Sequence, residues 1–141
     1  MTSRTWTWTR EIVRSYHEAR FGGDVSAAVA RLAEPFTFQS PLMRSEDPAG
    51  HLAGLPGFLQ VATGVDMISE LYGEREATLV YDVHTATPAG TQRTAEHFRL
   101  DNAGITSIML IFDGVPWQAT MAMMSQHTTD HGDESFAAPA V

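Results

Sequence analysis

The chain contains no cysteine, which removes disulfides, thiol nucleophiles and zinc–thiolate centres from consideration. No apolar run approaches the roughly 20 residues that a membrane-spanning helix needs. Basic residues are also scarce: nine Lys plus Arg stand against 17 Asp plus Glu, a formal charge of −8 at pH 7. A chain of that sign repels phosphate backbones, so nucleic acid is not expected as a partner. There is no glycine-rich phosphate loop after a strand, because Phe21-Gly-Gly-Asp24 joins two helical stretches. The first ten residues carry no apolar core of a secretory signal. These absences lead to the expectation of a cytoplasmic protein that uses no membrane, metal or cofactor.

What is present fits a single domain of 141 residues with one core. Residues 1–8 are expected to be a flexible N-terminus, 9–124 the folded domain, and 125–141 an acidic, disordered tail. From about Thr9 to Phe21, the residues Ile12, Val13, Tyr16 and Ala19 form a helical stripe that ends at Gly22-Gly23. Asp24 suits an N-cap for a second helix carrying Val25, Ala28, Val29 and Leu32, stopped before Pro35. Phe36–Ser40 alternates as a short strand, and Met43–Gly54 reads as a polar loop able to act as a lid. Pro56 opens a third helix with Phe58, Leu59, Ala62 and Val65. The period then changes from 3.6 to two, and residues 67–72, 77–86, 91–100 and 105–112 read as strands. After Trp117 the methionines Met121, Met123 and Met124 look like an apolar closing segment.

The richest stretch is Leu79–Leu100, which reads as a β-hairpin about Pro88-Ala89-Gly90. Pairing about that turn sets Asp82 opposite Glu96 and His84 opposite Thr94, on one face with Phe98 and Leu100. Two carboxylates and an imidazole on an otherwise apolar face are costly to bury unless they share a proton or do chemistry. The plain alternative is that this face meets solvent. The opposite parity carries Tyr81 and Val83, which with Met109 and Ile111 would form an apolar outer surface suited to a homodimer. His127-Thr-Thr-Asp-His131 has helical i, i+4 spacing, but without a surrounding core it is not read as a metal site.

The element order, with the phrases Phe21-Gly-Gly-Asp24, Ala33-Glu-Pro-Phe-Thr-Phe-Gln-Ser-Pro41 and His97-Phe-Arg-Leu-Asp-Asn-Ala-Gly-Ile-Thr106, resembles the nuclear-transport-factor-two-like superfamily. Within it the chain is most similar to the SnoaL-like branch of polyketide cyclases, ketosteroid isomerase and limonene epoxide hydrolase. The resemblance covers roughly Thr9 to Phe112. It implies an α+β cone: a curved mixed, mostly antiparallel sheet wrapped around three N-terminal helices and enclosing a ligand cavity. It places Tyr16 where ketosteroid isomerase has its oxyanion-hole tyrosine, and Glu96 where that enzyme has a protonated carboxylic acid. The isomerase's general base falls on Ser40, which cannot take up the proton unaided. Asp82 matches one carboxylate of the epoxide hydrolases, whose arginine position is Val80 here and whose second aspartate is Leu110. None of these reactions therefore transfers intact.

The resulting expectation is a cofactor-independent acid/base enzyme, a cyclase or isomerase, acting on a hydrophobic polyketide- or terpenoid-like molecule. Asp82 and Glu96 would relay the proton, His84 would tune it, and Tyr16 would stabilise negative charge. Phe38, Ser40, Met43, Leu55 and Phe58 would line one side of the cavity, with Phe98, Ile108, Leu110 and Phe112 on the sheet side. The alternative is a non-catalytic binding or accessory protein of the same fold. Epoxide hydrolysis ranks below both, because the water-activating position is Leu110.

Overall fold

The computed structural model describes the backbone of residues 3–130 and the side chains of residues 6–123. Helix α1 spans Ser3–Phe21, α2 Val25–Val29 and α3 Leu55–Val61. Strand β1 runs over Leu32–Gln39, β2 over Arg44–Ser45, β3 over Ala62–Tyr72 and β4 over Glu76–Thr85. Strand β5 covers Thr91–Asp101 and β6 Gly104–Ile111, and helix α4 closes the described chain over Gly114–Asp130. The six strands form one open sheet in the order β2-β1-β6-β5-β4-β3. Only β1 and β6 are parallel neighbours; the other pairs are antiparallel. Irregular register near Ala62–Gly64, Met67–Ser69 and Arg99–Leu100 bends and twists the sheet around the helices. This is the expected α+β cone.

The Gly-Gly stop of α1 works as its sequence suggests. Gly23 adopts φ +80, its N–H donates to Arg20 O, and Asp24 N–H reaches back to Ala19 O at 2.9 Å, the paired bonds of a left-handed helix end. Asp24 then caps α2 through Oδ1, which accepts from Ala27 N–H at 3.0 Å. Several boundaries differ from the sequence reading. Helix α1 begins at Ser3 rather than Thr9; Trp8 is half-buried with the Arg75 guanidinium over its ring, and Thr9 donates to Glu74 O at 2.7 Å. Those tertiary contacts extend a helix that propensity alone leaves short. Leu32 starts β1 instead of ending α2, and Ala62 and Val65 belong to β3 rather than α3. Helix α4 continues to Asp130, beyond residue 124, and the rest of the acidic tail lies outside the described residues.

The hairpin forms, but in another register. Asp82 pairs with Arg93, Leu79 with Glu96 and His84 with Thr91. The loop is built by threonines: Thr85 Oγ1 donates to Gly90 O at 2.7 Å, and Thr87 Oγ1 accepts from Ala89 N–H. Gly90 supplies the positive φ, +63. This loop centres between Thr87 and Pro88, so each partner on β5 moves by three positions. An odd shift reverses the faces of β4 relative to β5. Leu79, Tyr81 and Val83 therefore point into the core, and Asp82 and His84 point outward.

Gly104 is the tightest backbone position. It has φ +135, and an added Cβ would sit 2.6 Å from Arg31 O, beside the Ile105 N–H to Arg31 O bond that starts the β1–β6 pairing. Gly104→Ala is expected to lower unfolding stability by about 2 kcal/mol or more, read as a reduced urea midpoint at an unchanged m-value.

Candidate functional site

The inner face of the cone is built from α1, the segment between β1 and α3, and strands β4–β6. On α1, Val13, Tyr16 and Arg20 share the buried stripe, spaced three and four residues apart. Arg20 is a full charge in the core, 2 % exposed, and it is held by the sheet. Its Nη1 donates to Glu96 Oε1 at 3.3 Å, to Glu96 Oε2 at 3.4 Å and to Tyr81 OH at 3.3 Å. Tyr81 OH donates in turn to Glu96 Oε1 at 2.7 Å. Burial pushes the Glu96 carboxyl above its ordinary range, against the pull of Arg20 and the Tyr81 hydroxyl. Burial disfavours the Arg20 charge, yet Glu96 and the two tyrosines outweigh it and hold the guanidinium protonated.

Beside this triad stands a second polar pair. The Gly50–Leu52 turn carries His51 into the core, 2 % exposed, among the rings of Phe36, Phe38 and Tyr16. His51 Nδ1 lies 2.8 Å from Pro48 O, and Nε2 lies 2.8 Å from Tyr16 OH. A carbonyl accepts only, so Nδ1 carries the proton; Nε2 accepts from the Tyr16 hydroxyl. Burial and the nearby Arg20 charge lower the His51 pKa to about 4. Burial also drives the Tyr16 pKa well above its ordinary value. At neutral pH the pair is a phenol donating to a neutral imidazole. On α1, His17 packs against Phe21 and Tyr81; its Nδ1 is buried without a partner, and desolvation with Arg20 lowers its pKa to about 4.

The expected residues divide between the two faces. Tyr16, Glu96, Phe38, Leu55, Phe58, Phe98, Ile108, Leu110 and Phe112 are all in the core. Asp82 and His84 are not with them. Asp82 forms a two-pronged pair with Arg93 on the outer face, at 2.8 and 2.9 Å, and that partner lowers its pKa. His84 bridges Asp66 Oδ2 at 2.7 Å and Thr91 Oγ1 at 2.9 Å, also outside. The Asp82/Glu96 pair is thus dissolved by register. Ser40 serves its own turn: Oγ accepts from the Leu42 and Met43 N–H groups, leaving Met43 half-buried at the rim.

The interior is also fuller than a ligand cavity requires. Trp117 enters from α4 and packs on Phe58, with ring centroids 5.8 Å apart. The void between Phe58, Val83, Thr85, Gln92, Thr94, Phe112 and Trp117 measures about 10 Å³, room for about one water. Among the described residues no three His, Asp or Glu side chains converge to hold a metal ion, and no helix is long and apolar enough to cross a membrane. The side chains of His127 and His131 lie outside the described residues.

Sequence reasoning missed Arg20, His51, Tyr81 and Trp117. Arg20 had a signal: it falls four residues after Tyr16 on the apolar stripe of α1. His51 had none, because the 43–54 segment has no periodicity from which burial can be read.

No protein-family model matches the chain, and no curated protein is similar to it in sequence. Solved structures match closely in shape. A protein from Kribbella flavida is 24% identical with a TM-score of 0.71, covering 82% of this chain and 95% of its own. An NTF2-like protein of unknown function from Cytophaga hutchinsonii is 22% identical with a TM-score of 0.62, covering 78% and 94%. A candidate polyketide cyclase from Xanthomonas campestris is 17% identical with a TM-score of 0.65, covering 82% and 98%. The chain has the NTF2-like fold, and the fold alone does not fix a reaction.

Two outcomes follow from the buried charges. Glu96→Ala strands the Arg20 guanidinium and is expected to cost about 3–5 kcal/mol in urea unfolding, whereas the double variant Arg20→Met/Glu96→Leu regains most of that loss. His17 and His51 have folded pKa values depressed to about 4, against roughly 6.5 when unfolded. Their stabilisation is complete above pH 6.5 and is lost as pH falls from there toward 4. Urea midpoints should drop between pH 7 and pH 5, with a shallower drop in His51→Gln.

Proposed function

We propose that this protein is a cofactor-independent acid/base enzyme of the cyclase or isomerase kind, acting on a hydrophobic polyketide- or terpenoid-like molecule within the cone. Tyr16 and His51 are its proton-carrying pair. The observation that supports this reading is the 2.8 Å bond between the Tyr16 hydroxyl and the neutral His51 imidazole, both buried. A substrate carbonyl that takes the Tyr16 hydrogen bond receives a donor for its developing oxyanion. The same exchange frees His51 Nε2. A base with a pKa of about 4 is unprotonated at neutral pH and can accept a proton from carbon, while Pro48 O fixes its tautomer. His51 thus supplies the base that Ser40 cannot. Arg20, Tyr81 and Glu96 set the field around the pair. Asp82 and His84, on the outer face, are left out of the chemistry.

The departures from the family's catalytic pattern at Ser40 and Leu110 favour a second reading, a non-catalytic small-molecule binder. The two separate in one assay, exchange of α-protons of a cyclic enone or β-diketone in D2O followed by NMR. The enzyme reading expects exchange above the buffer rate, cut roughly 100-fold or more in Tyr16→Phe and His51→Gln and unchanged in Asp82→Asn. Saturable binding without exchange establishes the binder instead.

The same proposal includes a homodimer through the outer sheet face. Tyr81 and Val83, expected there, are in the core. The outward positions are Leu71, Val80, Ala95, Met109 and Ile111, of which Leu71, Met109 and Ile111 are well exposed. Such a patch favours a partner. Light scattering at micromolar concentration should give twice the chain mass, and the double variant Met109→Lys/Ile111→Lys the mass of one chain.

A further inference from the structure

Helix α4 is apolar on two faces. One face is spent on the core, through Trp117, Thr120 and the half-buried Met121. The other carries Val115, Ala119, Ala122 and Met123, all exposed, Val115 by 73% and Met123 by 56%. Their spacing of four, three and one residues keeps them within about 100° of the helix circumference, so they form one stripe with Gln118 at its edge. A surface helix ordinarily turns a charged face to water. This one is 17 residues long, and its sequence has no Asp, Glu, Lys or Arg between Asp113 and Asp130. At its start Gly114 stands against Pro41 and Leu42, so the apolar surface continues past the end of the helix.

We propose that this stripe is a contact between two copies of the chain, in which α4 packs antiparallel on α4 of the second copy about a twofold axis at Ala119. Two features select a second copy as the occupant. The first is charge. The chain carries a formal −8, so copies repel over much of their surface, and a helix free of formal charge is where they can approach. The second is self-complementarity. Val115 and Met123 lie four residues either side of Ala119. Reversal about Ala119 therefore sets each Val115 against the second copy's Met123, and it brings small side chains together at the centre, where the axes can come close. A lipid surface fits less well, because the four side chains of the stripe include no Lys, Arg or aromatic residue to meet headgroups. A contact of this size is well below the roughly 800 Å² per partner of a standard interface. It is therefore weak, with a dissociation constant on the order of 100 µM, and adds a step above the micromolar range in which the sheet face acts. The inference depends neither on the chemistry of Tyr16 and His51 nor on the sheet-face dimer.

The test is sedimentation velocity of the full chain carrying Met109→Lys/Ile111→Lys, which blocks the sheet face, from about 10 µM to about 1 mM, a range that brackets that constant. The expected result is the mass of one chain at the low end and a shift toward twice that mass at the high end. Ala119→Glu, on the solvent side of the helix, should leave the fold intact and hold the mass at one chain throughout, because it sets two like charges together at the axis. The lack of native cysteine allows a second readout. Under mild oxidation at high concentration, Ala119→Cys should give a disulfide-linked dimer, since the two copies of residue 119 meet at the axis. Ala122→Cys, on the same stripe, should not: at about 1.5 Å of rise per residue its two copies lie about 9 Å apart along the helices, beyond the reach of a disulfide. A chain that stays monomeric at about 1 mM, an association that Ala119→Glu leaves in place, or equal cross-linking of the two cysteine variants overturns the proposal and leaves the stripe to an unlike partner. If Met109→Lys/Ile111→Lys does not fold, the wild type decides: its rise above the micromolar mass must vanish in Ala119→Glu. A wild-type chain of single mass at micromolar concentration sinks the sheet-face dimer alone, because the α4 step is read above that range.

Discussion

The guanidinium of Arg20 is buried in the middle of the core, and much of the structure follows from where its counter-charge lies. A lone cation there would cost several kcal/mol, so the arrangement is stable only with Glu96 in reach. Arg20 comes from α1 and Glu96 from β5, and Tyr81 from β4 donates to the same carboxylate. This buried cluster thus ties the first helix to strands β4 and β5. It also agrees with only one hairpin register. Tyr81 reaches Glu96 because Leu79 pairs with Glu96 and Tyr81 with Thr94, which puts Tyr81 and Glu96 diagonally on one face. In a register shifted by an odd number of residues, Tyr81 would face solvent and the carboxylate would lose its strongest donor.

That fixed charge shapes its surroundings. Desolvation, with Arg20 adding to it, keeps His17 and His51 neutral down to about pH 4, and desolvation keeps Tyr16 protonated. Among the described residues the inner face therefore holds a single ion pair surrounded by neutral donors and acceptors. Such a set can donate and accept hydrogen bonds at neutral pH without a change of charge. On the outer face the pattern is the ordinary one for a solvated sheet: Asp82 with Arg93, His84 with Asp66, and His97 with Glu76, cross-strand pairs of modest worth.

The fold was legible in the sequence because it rests on signals that are local. The Gly22-Gly23 stop, the Asp24 cap, the change of period and Gly90 each act within a few residues, and the structure shows each in place. The strand faces of β5 and β6 were also readable, since Glu96, Phe98, Ile108 and Leu110 are all inside. What failed was the relation between β4 and β5. The Pro88-Ala89-Gly90 phrase suggested a turn centred on Ala89, but the hydroxyls of Thr85 and Thr87 bond to the loop backbone and the centre lies between Thr87 and Pro88. A shift of three positions carried Asp82 and His84 out of the site. His51 was out of reach for a different reason: a histidine in an aperiodic loop gives no sign of burial until tertiary structure folds that loop inward.

His51 and Trp117 both fill the interior from segments outside the central strands. His51 enters from the segment between β1 and α3, and Trp117 from α4. On the proposed reading, a substrate meets Tyr16 and His51 only by replacing the bond between them. A ligand shifts such an equilibrium by no more than its preference for the open state. That preference has to offset the cost of opening a packed interior. The satisfied Tyr16–His51 bond raises it. On the proposed reading, the pair stays intact until a carbonyl competes for it.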